Sequence, residues 1–385
     1  LWIGNEVYFL SDREGPVSLF AYDIAGKKVR RVLENTTLDY KSISAGPGAI
    51  VLEKFGGVQL YDLKSKKLTD VAITVSADIS ELRPRWEKAG TALRSFALSP
   101  NGKRVAFEAR GEIVTVPAEK GDVRVLSKSP GAHDRTPSWS PDGKSIAWFS
   151  DESGDYSLVI HDQSGAGEKR TIRMAEKPGY YFDPVWSPDS KWIVCEDNRL
   201  NLLLVEVASG KVTTVDTDYY YDPERTFNPT WSPDSQWLAY TKELPSHFHA
   251  VLAHSVTAGK AQQITDGLSD ARYPSFDRSG LYLYFTASTN AGPTLGWIDM
   301  TSNPYAVNRS AYVMVLRKDT PSPLAAESDE ETEKKDPPKD EKPVTRIDAD
   351  GLSQRILALP LPRRNYRGLE AGKAGEVYLY EEIDN

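Results

Sequence analysis

One cysteine, Cys195, and five histidines are all that 385 residues provide of the commonest metal- and redox-active side chains. A single cysteine excludes an internal disulfide. Inside the strand-like string WIVCED it reads as a buried apolar thiol, which fits a reducing compartment without excluding the periplasm. No apolar run approaches the roughly 18–20 residues that cross a bilayer, so no membrane partner is expected. Lys and Arg number 47 against 55 Asp and Glu, a net charge of −8. That balance argues against a nucleic-acid partner, which asks for a basic stripe. A signal peptide and an initiator methionine are missing too, and both ends read as cut within strand-like sequence. A cytoplasmic location is the expectation, the periplasm staying open.

The motifs of familiar chemistry are equally scarce. The nearest approach to a Gly-x-Ser-x-Gly elbow is Gly267-Leu268-Ser269-Asp270-Ala271, which lacks the second glycine and sits in a turn. No phosphate-binding glycine loop, His-Glu-x-x-His helix or paired-cysteine zinc pattern occurs. No cofactor, no metal and no catalytic residue is expected in this stretch.

What is present is a repeated unit. In WSPDGKSIAWFSDESGDYSLVIHD, Trp139–Asp162, the turn Ser140-Pro141-Asp142-Gly143 puts proline where φ must lie near −65° and glycine where a Cβ would clash. Two apolar strands follow, Ile146–Phe149 and Tyr156–Ile160, separated by the turn Asp151–Asp155. The turn recurs with first serines at Ser99, Ser140, Ser187, Ser232 and, in degenerate form, Ser275, in steps of 41, 47, 45 and 43 residues. Several short strands per period of that length read as β-propeller blades of four-stranded antiparallel sheets. Nine tryptophans and 19 tyrosines suit sheets that pack face to face.

Residues 1–33 and 43–70 form two strand-rich units without the serine-proline turn, and a boundary is placed near Arg85. Five units then run to about residue 317. Residues 318–345 are rich in Pro, Glu, Asp and Lys and read as a disordered insertion, because they cannot bury enough surface to offset their ordering entropy. Strand-like sequence resumes at Arg346 with RILALPL and EVYLYEE, read as a further, truncated blade.

Few side chains invite a functional reading. His247 and His249 are spaced to share one face of a strand, with His254 nearby, although an exposed loop after Pro245 accounts for them as well. His133 and Asp134 precede a blade strand, where an aspartate commonly accepts turn hydrogen bonds. Tyr180-Tyr181-Phe182 and Tyr219-Tyr220-Tyr221 precede Asp183-Pro184 and Asp222-Pro223, and read as the same place in successive blades. Blade packing explains these rings. A peptide-contacting rim built on Tyr180, Tyr181, Tyr219 and Tyr220 is the sharper alternative.

The long strings FLSDREGPVSLFAYD (9–23), ALSPNGKRVAFEARGEI (97–113), HDRTPSWSPDGKSIAWFSDESGDYSL (133–158), AQQITDGLSDARYPSFDRSGLYLYFTAST (261–289) and IDADGLSQRILALPLPRRNY (347–366) resemble the propeller region of tricorn-type serine peptidases. The resemblance implies that residues 1–84 are the last blades of a first propeller. Residues from 85 onward are then most of a seven-bladed second one. It further implies a PDZ domain and a catalytic region elsewhere in the parent chain, a possible homo-oligomer through those domains, and peptides as the molecules handled. This stretch would gate and filter peptides and cleave none. A TolB-like scaffold for protein–protein interaction is the alternative, and a prolyl-oligopeptidase-type cap is a third reading.

Overall fold

The computed structural model describes residues 1–74, 76, 83, 85, 88–220, 227–289, 307–325 and 343–383. Among the described residues, strands form seven four-stranded antiparallel sheets and one two-stranded sheet. Strands β1–β4 are Trp2–Ile3, Glu6–Ser11, Ser18–Asp23 and Lys28–Arg31; β5–β8 are Ser42–Gly46, Ala49–Lys54, Gly57–Asp62 and Leu68–Val71. The third sheet holds β9–β12 (Leu93–Leu98, Arg104–Ala109, Glu112–Pro117, Arg124–Val125) and the fourth β13–β16 (Asp134–Trp139, Ser145–Ser150, Ser157–Asp162, Arg170–Arg173). The fifth holds β17–β20 (Tyr181–Trp186, Trp192–Asp197, Asn201–Glu206, Val212–Thr217) and the sixth β21–β24 (Thr230–Trp231, Trp237–Glu243, His249–Ser255, Lys260–Gln263). The seventh holds β25–β28 (Asp270–Phe276, Tyr282–Ser288, Ser310–Val315, Ile356–Ala358), and β29 and β30 (Tyr366–Ala371, Val377–Glu381) make the short sheet. Every sheet is an up-and-down meander.

Two compact units result: Leu1–Ala97, Val105–Pro137 and Ala147–Tyr180 make one; Leu98–Arg104, Ser138–Ile146 and Tyr181–Asn385 make the other. In the first, Tyr8, Leu19 and Ala21 of the first sheet share a core with Ile50, Leu52 and Tyr61 of the second. In the second, sheets stack in chain order. Val194, Leu202 and Leu204 pack on Trp231, Leu238 and Tyr240; Val251 and Ala253 pack on Leu283 and Phe285; Tyr284 and Val313 pack on Leu369. Sheets covered on both faces explain why the middle strands, such as LLLV in β19, are unbroken apolar runs while fourth strands such as β24 stay exposed.

The serine-proline turns work as their composition demands, and also link sheets. Ser140 Oγ donates to Asp142 Oδ1 at 2.7 Å and accepts from Ser145 N at 2.9 Å, with Gly143 at φ 74°. The same pattern recurs at Ser187 and Ser232, where Ser190 and Ser235 occupy the left-handed position. Their hydroxyls are used: Asp142 N donates to Ser190 Oγ and Asp189 N to Ser235 Oγ, both at 3.1 Å. Indoles add a second link, Trp186 Nε1 to Ser138 O at 3.1 Å and Trp231 Nε1 to Val185 O at 3.3 Å.

Three expectations change. The degenerate fifth turn begins at Asp277, not Ser275: Asp277 N donates to Tyr282 O and Gly280 N to Asp277 O, both at 2.9 Å, the bonds that Ser232 makes in its own turn. The last step is therefore 45 residues, from 232 to 277. Ser275 lies within β25 instead, accepting from Ala371 N at 3.0 Å. Second, Ile356–Ala358 pairs with β27 and closes the seventh sheet, leaving only β29 and β30 to start another. The 40 residues, 316–355, between β27 and β28 hide this pairing from a linear reading. Third, Thr345, the last residue of the expected insertion, is 5% exposed and donates through its backbone N–H to Asp234 Oδ2 at 2.8 Å. Residues 326–342 of that stretch lie outside the described residues.

Candidate functional site

A left-handed residue before a proline marks the first strand of four successive sheets: Thr136 (φ 50°), Asp183 (φ 37°), Asn228 (φ 42°) and Tyr273 (φ 58°). Pairing slips there, between Phe182 and Val185 and between Arg272 and Ser275, as in a β-bulge. This landmark corrects the tyrosine alignment. Asp183-Pro184 corresponds to Asn228-Pro229, so Tyr219 and Tyr220 are not the counterparts of Tyr180 and Tyr181. Tyr221, Asp222 and Pro223 lie outside the described residues.

The four tyrosines accordingly part ways. Tyr181 opens β17 and is 1% exposed, so its ring serves packing. Tyr180 belongs to the first unit, where the Arg135 guanidinium sits 3.7 Å from its ring centre and Tyr156 meets it edge-on at 5.1 Å. His133 Nδ1 bonds the Tyr156 hydroxyl at 2.8 Å, and burial, aided by Asp151, pushes that phenol up to about 12. Asp134 is buried and accepts from Ser129 Oγ at 2.6 Å and Trp148 Nε1 at 2.8 Å. It is structural, though through side-chain donors and not the turn amides expected.

Tyr219 and Tyr220 are the exposed pair, 62% and 38% accessible. They follow β20, where Asp218 N donates to Leu200 O at 2.8 Å and Asp218 Oδ1 accepts from Tyr219 N at 2.9 Å, turning the chain outward. The β22–β23 hairpin tip lies against them. Tyr220 packs on His247 with ring centres 4.3 Å apart and ring planes tilted by 35°, and Lys242 Nζ lies 5.0 Å from the Tyr219 ring while bonding Asp216. His247 Nδ1 meets Glu243 Oε1 at 2.9 Å. Burial, with Glu243 adding to it, pushes the Asp218 carboxyl up to about 6. The result is an aromatic ledge backed by fixed charges, suited to hold an extended chain by ring contact.

The three histidines do not converge. His247 sits in the hairpin tip at φ 64°, off the alternation of β23. His249 is 1% exposed and bonds Asp270 Oδ1 at 2.6 Å through Nδ1. Arg309 and Arg272 flank the same carboxylate. Burial pushes the Asp270 carboxyl up, but the His249 hydrogen bond and the two guanidiniums outweigh it and hold the group well below the usual carboxylate range. Sequence reading missed this hub, although a charged Asp-Ala-Arg inside a strand was a visible signal. His254 is buried on β23. The Gly267–Ala271 string is a turn into β25, with Leu268 N donating to Asp266 Oδ1 at 2.9 Å. Cys195 is fully buried and its thiol is pushed up by burial.

Stacked four-stranded meanders joined by repeated turns define an all-β protein of propeller blades. Residues 93–384 match the family described as the tricorn protease second beta propeller domain, and the chain belongs to that family. It is 26% identical over 380 residues to a tricorn protease homolog of Saccharolobus solfataricus, covering 98% of this chain and 33% of that one. It is 26% identical over 392 residues to tricorn protease homolog 1 of Streptomyces coelicolor, covering 98% of this chain and 36% of that one. The crystal structure of the tricorn protease superposes with a TM-score of 0.60 at 16% identity, over 99% of this chain and 36% of that chain. The chain thus spans about a third of the length of these relatives.

Proposed function

We propose that this chain is the propeller region of a tricorn-like serine peptidase and that it admits and filters peptides for a catalytic region carried elsewhere. The observation that carries the reading is the family match over 93–384, with similarity to tricorn protease homologs reaching across nearly the whole chain. In this reading residues 1–84 end a first propeller, and residues 85–317 with the stretch after 346 belong to a second. The parent's PDZ and catalytic domains are its partners. Exposed Tyr219 and Tyr220 supply contact area at low entropy cost, with Lys242 and His247 fixed behind them. The test is to incubate the purified chain with fluorescent oligopeptides. Binding without hydrolysis is expected, and weaker binding by Tyr219→Ala/Tyr220→Ala. Turnover by the chain alone at enzymatic rates contradicts the assignment.

A further inference from the structure

The first unit contains a cleft of about 480 Å³ that none of the tyrosine ledge residues line. One wall is apolar. Phe55, at the β6–β7 turn, is 70% exposed, and Leu38 and Tyr156 lie with it on the lining. The rim is acidic. Asp151, Glu152 and Asp155 all line the cleft, against one cation, Lys128, among its described lining residues.

Two of these carboxylates are pinned. Asp151 Oδ1 accepts from His133 N at 2.6 Å. Asp155 Oδ1 accepts from Tyr156 N at 2.8 Å and Gly179 N at 3.3 Å. Those bonds fix the carboxyl groups in place through one oxygen each, so their orientation is set before any ligand arrives. Glu152 pairs through Oε2 with Lys169 at 2.7 Å, at the surface, where such pairs are worth little and exchange readily. An apolar wall beside a net negative rim matches a ligand with an aliphatic stem and a cationic head.

We propose that this cleft binds the lysine or arginine side chain of a peptide, the stem lying on Phe55 and Leu38 and the charged head meeting the Asp151–Asp155 loop. Arginine fits better than lysine, because its planar fork can meet two carboxylate oxygens at once. The proposal rests on the peptide-handling reading for its ligand class and adds a side-chain preference at a separate place. Lys128 opposes it: the residue sits at φ 48°, a conformation glycine adopts freely, and its removal lowers the competing positive charge.

Titration of the purified chain with a blocked alanine peptide carrying one arginine, and with its citrulline and glutamate counterparts, reads the proposal. The arginine peptide is expected to bind on the order of tenfold tighter than citrulline, with glutamate weaker still. Glu152→Gln and Phe55→Ala, both at exposed positions that leave thermal stability in place, each weaken it several-fold, and Lys128→Gly tightens it. Equal binding of arginine and citrulline overturns the proposal, as does indifference to Glu152→Gln and Phe55→Ala. Displacement of the peptide by stoichiometric calcium reassigns the cleft to a metal and also overturns it. Arginine-peptide binding lost on Tyr219→Ala but kept in Glu152→Gln overturns the cleft alone and leaves peptide handling intact.

Discussion

Ser190 holds a left-handed backbone angle that Gly143 holds in the preceding turn, and its hydroxyl accepts Asp142 N. Glycine there relieves strain and loses the bond, two effects of about 1 kcal/mol that oppose each other. Ser190→Gly is therefore expected to leave the melting temperature nearly unchanged. Ser190→Ala keeps the strain and loses the bond, so chemical denaturation should show it destabilised by about 1 kcal/mol. Asp218 gives a pH test. Its carboxyl is raised to about 6, so the fold favours the neutral form; stability is fullest below the ordinary value near 3.8 and is lost as pH rises through about 6. Asp218→Asn removes that loss. Thermal melts should show the variant more stable at pH 8, on the order of 1 kcal/mol after allowance for solvent, and equal to the parent near pH 4. The serine-proline turn was legible because its bonds span five residues. The burial of Tyr181 against the exposure of Tyr219 was not, since it depends on where each sheet's first strand begins.

Elements were legible where their pattern is local. The apolar runs Ile146–Phe149 and Tyr156–Ile160 announced the strands β14 and β15, and the apolar setting of Cys195 announced its burial. The bulge at Asp183 and Tyr273 was not, because its signature is a backbone angle and the shared x-Pro dipeptide also occurs at Asp222-Pro223. The hub at Asp270 gathers His249 from β23 and Arg309 from the lead-in to β27, 21 and 39 residues away in sequence. No short-range pattern reports such pairing. Removing the charge leaves two guanidiniums without their buried counter-ion. Asp270→Asn is expected to cost about 3 kcal/mol or more, read by urea denaturation, whereas a loss below about 1 kcal/mol would show that the hub contributes little.

At the scale of the molecule, the stacking of sheets in chain order within the second unit carries the repeat seen in the sequence into three dimensions. The turn at Ser140 bonds the turn at Ser187, which bonds the turn at Ser232, and the indoles of Trp186 and Trp231 each bond the first strand of the sheet before. The regular spacing of the repeats is what lets these links recur. The family to which the chain belongs follows from that architecture together with the matched residues 93–384. The role we propose for this region is to govern which peptides reach a catalytic centre while cleaving none itself. The most direct measurement is kcat/KM of the full-length peptidase for a long peptide and for a tripeptide, with and without Tyr219→Ala/Tyr220→Ala. A several-fold fall for the long peptide and no change for the tripeptide are expected. An equal fall for both, or none for either, would contradict it.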